Sequence, residues 1–149
     1  MEAVTGRRVS RLRQSLTAAQ VPAVVAAALA GKRIAVRRSV RLAPVAVGDR
    51  VLLAEPWRIV RVLLAPVFRV VVRYADGRRR RREVWADAPR YRRTHGYAQH
   101  AKDTRWRLPS DMPRWVGRFV LEVTAVATTS AGDVRVVGYV HLMEGGLCE

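Results

Sequence analysis

One cysteine, Cys148, stands in 149 residues, so no intramolecular disulfide and no thiolate metal cluster can form. No histidine lies beside it in the sequence to act as a base, which argues against nucleophilic catalysis by this thiol. Histidine is scarce as well, with three in the chain. His95 and His100, with Asp103 nearby, match neither one face of a helix nor a common zinc spacing, so no metal site is expected, and His141 reads as structural. Gly-rich phosphate loops and nucleophile elbows are missing, and no cofactor is expected. Long apolar runs are missing too. The longest, Val21 to Ala30, contains a proline and falls well short of the roughly 20 residues of a membrane helix. Arginine-rich sequence precedes it, as in a signal peptide, but no cleavage site and disulfide-rich domain follow. The expectation is a cytoplasmic protein with no membrane partner.

Negative charge is the other deficit: 12 acidic residues face 28 basic ones, for a net charge of +16 and a pI near 11.7. Such a field attracts polyanions whatever the fold, which favours a nucleic-acid partner. All the basic residues but Lys32 and Lys102 are arginine, and alanine and valine are abundant. A GC-rich coding genome produces that pattern by itself, so the position of the charge says more than its total. Thirteen basic and four acidic residues fall between Arg69 and Arg107. Within that stretch Arg78, Arg79, Arg80, Arg81 and Arg82 follow the Asp76-Gly77 turn. On a strand, alternation sends Arg78, Arg80 and Arg82 to one face and Arg79 and Arg81 to the other. Guanidinium forks bind phosphate bidentately. Trp85, Tyr91, Tyr97 and Trp106 follow, and aromatics interleaved with arginines suit single-stranded nucleic acid. The competing readings are a solvated hairpin tip for the arginines and loop packing for the aromatics. Trp57 and Trp115 read more readily as core.

The length suits one domain. Residues 1–20 form a basic N-terminal arm, in which Arg7, Arg8, Arg11 and Arg13 accompany Val9, Leu12 and Leu16 at helical spacing. That pattern predicts a short amphipathic helix, serving either as a phosphate-binding arm or as a solvated terminus. The domain proper is placed at 21–149. Pro22 and Gly31 bracket a helix over 22–30. Ile34, Val36 and Val40 alternate with Ala35, Arg37, Ser39 and Arg41 as a strand with one basic face. Further strands are predicted over 50–54, 57–64, 67–74, 78–84, 118–127 and 134–143, with a long irregular excursion over 86–113. The expected fold is α+β: a small mixed β-barrel of about six strands drawn from 33–73 and 118–143, one or two N-terminal helices, one of them on a barrel opening, and a long irregular loop.

Four stretches carry a family resemblance. Ser110-Asp111-Met112-Pro113-Arg114-Trp115 leading into Leu121-Glu122-Val123 resembles the Ser-x-x-Met-Pro-Arg-Trp … Leu-Glu-Val signature of phage-type ASCH domains, members of the PUA-like group of small barrels associated with RNA. Leu29-Ala30-Gly31-Lys32-Arg33 through Arg37-Arg38 resembles that family's Leu-Ala-Gly-Arg-Lys-Thr-x-Thr-Arg-Arg segment. Val47-Gly48-Asp49-Arg50-Val51 through Glu55-Pro56-Trp57 resembles its Pro-Gly-Asp-Arg-Leu-Trp-Val-Arg-Glu-Thr-Trp, and Arg73-Tyr74-Ala75-Asp76-Gly77 its Tyr-Arg-Ala-Asp-Gly turn. The resemblance covers residues 22–142 and implies a bacterial or phage-infected cytoplasm.

It also implies an RNA-facing cleft built from Arg33, Arg37, Arg38, Glu55, Trp57, Arg114 and Arg118, with Arg78 to Arg82 and Trp85 as outer contacts. Some relatives are amidohydrolases of acetylated cytidine or ribonucleases that use a Lys-x-x-Thr pair and a downstream Glu. Here Arg33 and Val36 occupy the pair's positions. Arginine stays protonated and valine has no hydroxyl, so binding of RNA or another nucleic acid without turnover is the expectation. The alternatives are a degenerate hydrolase or ribonuclease with Glu55 as base, and a phage structural or host-interaction protein.

Overall fold

The computed structural model describes residues 12–63, 69–83 and 105–143. Among them are one helix and eight strands, β1 (Arg13–Ser15), α1 (Val21–Ala30), β2 (Arg33–Arg38), β3 (Arg50–Ala54), β4 (Trp57–Leu63), β5 (Arg69–Tyr74), β6 (Arg79–Glu83), β7 (Phe119–Thr128) and β8 (Val134–Leu142). Single 3₁₀ turns at Pro109–Asp111 and Arg114–Val116 lead into β7.

Helix α1 starts with Pro22 in its first turn, where the missing N–H is not needed, and stops at Gly31. Gly31 takes a left-handed φ of 67°, which lets the Lys32 N–H turn back to the Ala27 carbonyl at 3.0 Å. The helix buries Val21, Val24, Val25 and Ala27.

The strands form two sheets. A five-stranded sheet runs β1-β3-β7-β8-β2 and a three-stranded sheet runs β4-β5-β6. The larger one curls into a half-barrel whose two edges meet through side chains. Gln14 Nε2 on β1 donates to the Arg37 carbonyl on β2 at 3.1 Å. Arg38 Nη1 returns bonds to the Arg13 carbonyl at 2.6 Å and to Gln14 Oε1 at 3.1 Å. The fold is therefore α+β and barrel-like, but β4 and β5, expected among the barrel staves, belong to the separate sheet.

Two cores explain the arrangement. Val36, Val51, Leu53, Phe119, Leu121, Val123, Val136 and Val140 line the inside of the curl and pack with Leu16 and the apolar side of α1. On the other side of β3, Leu52 and Ala54 join Trp57, Ile59, Val72, Tyr74, Met112 and Val116. Strand β3 is thus buried on both faces from Val51 to Ala54, and its run of consecutive apolar residues is what a doubly covered strand requires. Gly138 is fixed by a close approach. A Cβ there would collide with the Glu122 carbonyl, next to the register shift between Val123 and Ala125.

The N-terminal expectation needs correction. Residues 13–15 are a strand parallel to β3, with Gln14 opposite Leu53, and Leu16 is 2% exposed in the main core. The boundary drawn at residue 20 cuts through this sheet. Residues 1–11, with Arg7, Arg8, Val9 and Arg11, lie outside the described residues, as do Trp85, Tyr91, Tyr97, His95, His100, Asp103 and Cys148.

Candidate nucleic-acid interface

The cleft expected from the sequence is not gathered on one surface. Arg33 and Arg37 lie exposed on the outward side of β2, where Arg37 Nε reaches Asp133 at 3.6 Å. Arg114 is exposed in the second 3₁₀ turn. By contrast with those exposed arginines, Arg38, Glu55, Trp57 and Arg118 are all buried.

Arg118 and Glu55 instead tie the two sheets together. Arg118 Nε and Nη2 donate to the two Glu55 carboxylate oxygens at 2.8 and 2.7 Å, and Nη2 also lies 3.1 Å from Asp76 Oδ1 at the turn joining β5 and β6. The guanidinium is flanked by aromatic faces, 4.2 Å from the Tyr74 centroid and 4.6 Å from that of Phe119. The Tyr74 hydroxyl donates to the Val116 carbonyl, completing the contact. Burial pushes the Glu55 carboxyl above the usual carboxylate range, against the opposing hydrogen bonds and charge of Arg118. For Arg118 the loss of solvation, the largest influence, acts downward. The bonds and charges of Glu55 and Asp76 outweigh it and hold the guanidinium above the ordinary arginine value. A carboxylate that is fully buried and bidentately paired is placed as a strut, whereas a general base must reach a substrate.

A row of arginines, half-buried to exposed, lies on the outer face of the three-stranded sheet. Alternation sends Trp57, Ile59, Val72 and Tyr74 into the core, so Arg58 and Arg73 must face the other way. Register sets them side by side: Arg58 opposite Arg73, and Arg73 opposite Arg79. One rung along, the backbones of Arg61 and Arg81 flank that of Val71. Like charges directly opposite on neighbouring strands repel. No acid is paired with Arg58, Arg73 or Arg79 among the described residues, and the Nε atoms of Arg58 and Arg73 are shielded from water without a hydrogen-bond partner.

An aromatic residue extends this row. Arg107 makes an antiparallel bridge with Trp57, its N–H donating to the Trp57 carbonyl at 2.7 Å, and so lays residues 105–108 along β4. Trp106 then stands beside Arg58, whose guanidinium sits 5.3 Å from the indole centroid, while the ring stays 48% exposed. Arg107 covers Trp57 from the same segment, at 5.4 Å.

Of the arginine run, Arg79 is exposed on β6, whereas Arg78 stays at the turn with its Nε 3.7 Å from Asp76. The backbones of Arg80, Arg81 and Arg82 belong to β6, with Arg80 opposite Val72 and Arg82 opposite Val70. Their side chains lie outside the description, as does that of Trp115. Sequence reasoning missed Arg58 and Arg73. The signal was present: Trp-Arg-Ile and Val-Arg-Tyr each set one arginine between inward apolar residues, and the Asp76-Gly77 turn fixes how β5 and β6 align. No family model, curated protein or solved structure matches the chain.

Proposed function

We propose that this chain binds single-stranded nucleic acid, with RNA as the favoured polymer, on the outer face of β4-β5-β6, and does so without turning it over. The observation that carries the reading is the row Trp106, Arg58, Arg73, Arg79. Three guanidiniums stand on one rung without acid partners among the described residues, at the roughly 4.8 Å spacing of neighbouring strands, and an open aromatic ring lies at the end. A phosphate backbone relieves the mutual repulsion of the arginines, and an unstacked base covers the indole. The resemblance to phage-type ASCH domains and the curled sheet support RNA over DNA. The pairing of Glu55 with Arg118 supports binding over hydrolysis.

The test is fluorescence anisotropy with a labelled uridine-rich RNA at several salt concentrations. Affinity is expected to fall steeply with salt. Replacing Arg58, Arg73 and Arg79 together by Ser is expected to flatten the log–log slope by about two, since each phosphate contact on a single strand contributes about 0.7. Trp106→Ala is expected to weaken binding by ~1–3 kcal/mol at every salt concentration. An unchanged slope in the triple variant overturns the site. Equal affinity for polyglutamate, with no effect of Trp106→Ala, favours an acidic protein partner instead.

A further inference from the structure

A cavity lies away from the basic sheet face. Where the 39–45 segment folds over the far end of the β7–β8 hairpin, a cavity of about 320 Å³ opens, with walls supplied mainly by Val40, Leu42, Pro44, Val126 and Val134. Its size is at the lower end of the range that small-molecule sites occupy. Val40 and Leu42 are 63% and 48% exposed, so the cavity mouth is unusually apolar for open surface.

Arg38 is also part of the wall, and its situation is unusual. The side chain is 4% exposed, yet all its bonds go to neutral oxygens: Nε and Nη2 to the Ala43 carbonyl at 3.0 and 2.7 Å, and Nη1 to the Arg13 carbonyl and Gln14 Oε1. Ala43 lines the same cavity, which puts the guanidinium against it. No carboxylate pairs with Arg38 among the described residues. Asp133, close by in the register, engages Arg37 on the opposite side of β2. Burial holds the Arg38 pKa below the ordinary arginine value with no charged neighbour to offset it, but arginine stays protonated even so. A buried cation without a counter-ion is costly, and an anion in the adjoining space removes that cost. One Nη2 hydrogen remains beyond the four bonds given above.

We infer that this cavity is a binding site for a small organic anion, a single carboxylate on an apolar body, with the carboxylate drawn to Arg38 and the body held by the valine, leucine and proline walls. The site is independent of the nucleic-acid reading, since it shares no residue with β4, β5 or β6.

The probe pair is 4-tert-butylbenzoate and its neutral amide, titrated against the full chain by calorimetry and by thermal melting, with acetate as a control for general attraction to a basic protein. The benzoate is expected to raise the melting temperature in a dose-dependent way. It is also expected to bind at least about tenfold more tightly than the amide, because only the anion compensates Arg38. Val126→Trp, at a half-exposed wall position, fills the cavity without touching Arg38 and is expected to abolish benzoate binding while the fold is retained. Arg38→Met is expected to equalise benzoate and amide, and the Val126→Trp result stands if that variant fails to fold. Equal binding of amide and benzoate by the unaltered chain overturns the inference. So does stabilisation by acetate equal to that by benzoate, binding that survives Val126→Trp, or self-association through the apolar mouth that benzoate does not affect.

Discussion

Arg118 shows how much one side chain carries. It holds Glu55 from the end of β3 and Asp76 from the β5–β6 turn, while Tyr74 and Phe119 enclose it. Removing one member of a buried pair strands the other charge, so Arg118→Met is expected to destabilise the fold by ~3–5 kcal/mol in urea denaturation. Adding Glu55→Gln to that variant removes the stranded charge and is expected to restore about half of the loss. If the double variant is no more stable than the single one, the pair is not coupled as described. The family resemblance singled out Glu55 and Arg118 as positions of consequence but assigned them to a ligand cleft, whereas Trp57, placed in that cleft too, also read as core, which is where it lies. The pairing partner of a charged residue lies 63 positions away in the chain, and no local pattern reports that distance. Arg38 was misplaced for a related reason: the strand alternation that turns Arg37 outward turns Arg38 inward, where neutral carbonyls receive it.

At the level of elements, turn chemistry and alternation did most of the work. The helix over 22–30 and the strands over 50–54, 57–64 and 134–143 lie within a residue or so of α1, β3, β4 and β8. The element that went unread is β1. Leu12, Gln14 and Leu16 face inward with a period of two, but Gln14 is polar, and without it the leucines mimic a helical spacing. Gln14 is tolerated inside because its amide bridges to β2. This makes a test of the element itself. Deleting residues 1–16 removes the β3 neighbour, the buried Leu16 and two of the acceptors of Arg38. The truncated chain is expected to lose at least ~2–5 kcal/mol, the cost of one buried leucine alone, and its thermal midpoint to fall accordingly. A detached basic arm predicts no change in the midpoint and only weaker RNA binding.

For the whole molecule, total charge favours a polyanion partner without indicating a surface for one. The proposed surface rests on sheet register, because Arg58, Arg73 and Arg79 are scattered in sequence and adjacent only once β4, β5 and β6 are aligned. The division into two sheets was equally illegible, since each strand has the same local signature in one barrel or in two layers. The seam between β1 and β2 has a further consequence. Elsewhere in the curl, neighbouring strands are laced by backbone ladders, with β8 paired to both β7 and β2 over most of its length. Across the seam a few side-chain bonds from Gln14 and Arg38 do that work. Rotamer changes alone can release them, so the curl is expected to breathe there first. Hydrogen–deuterium exchange should find the amides of β1 opening well before those in the middle of β7 and β8, with Gln14→Ala hastening the former and leaving the latter unmoved. A half-barrel latched in this way can admit or expel whatever sits beside Arg38 without melting its central hairpin.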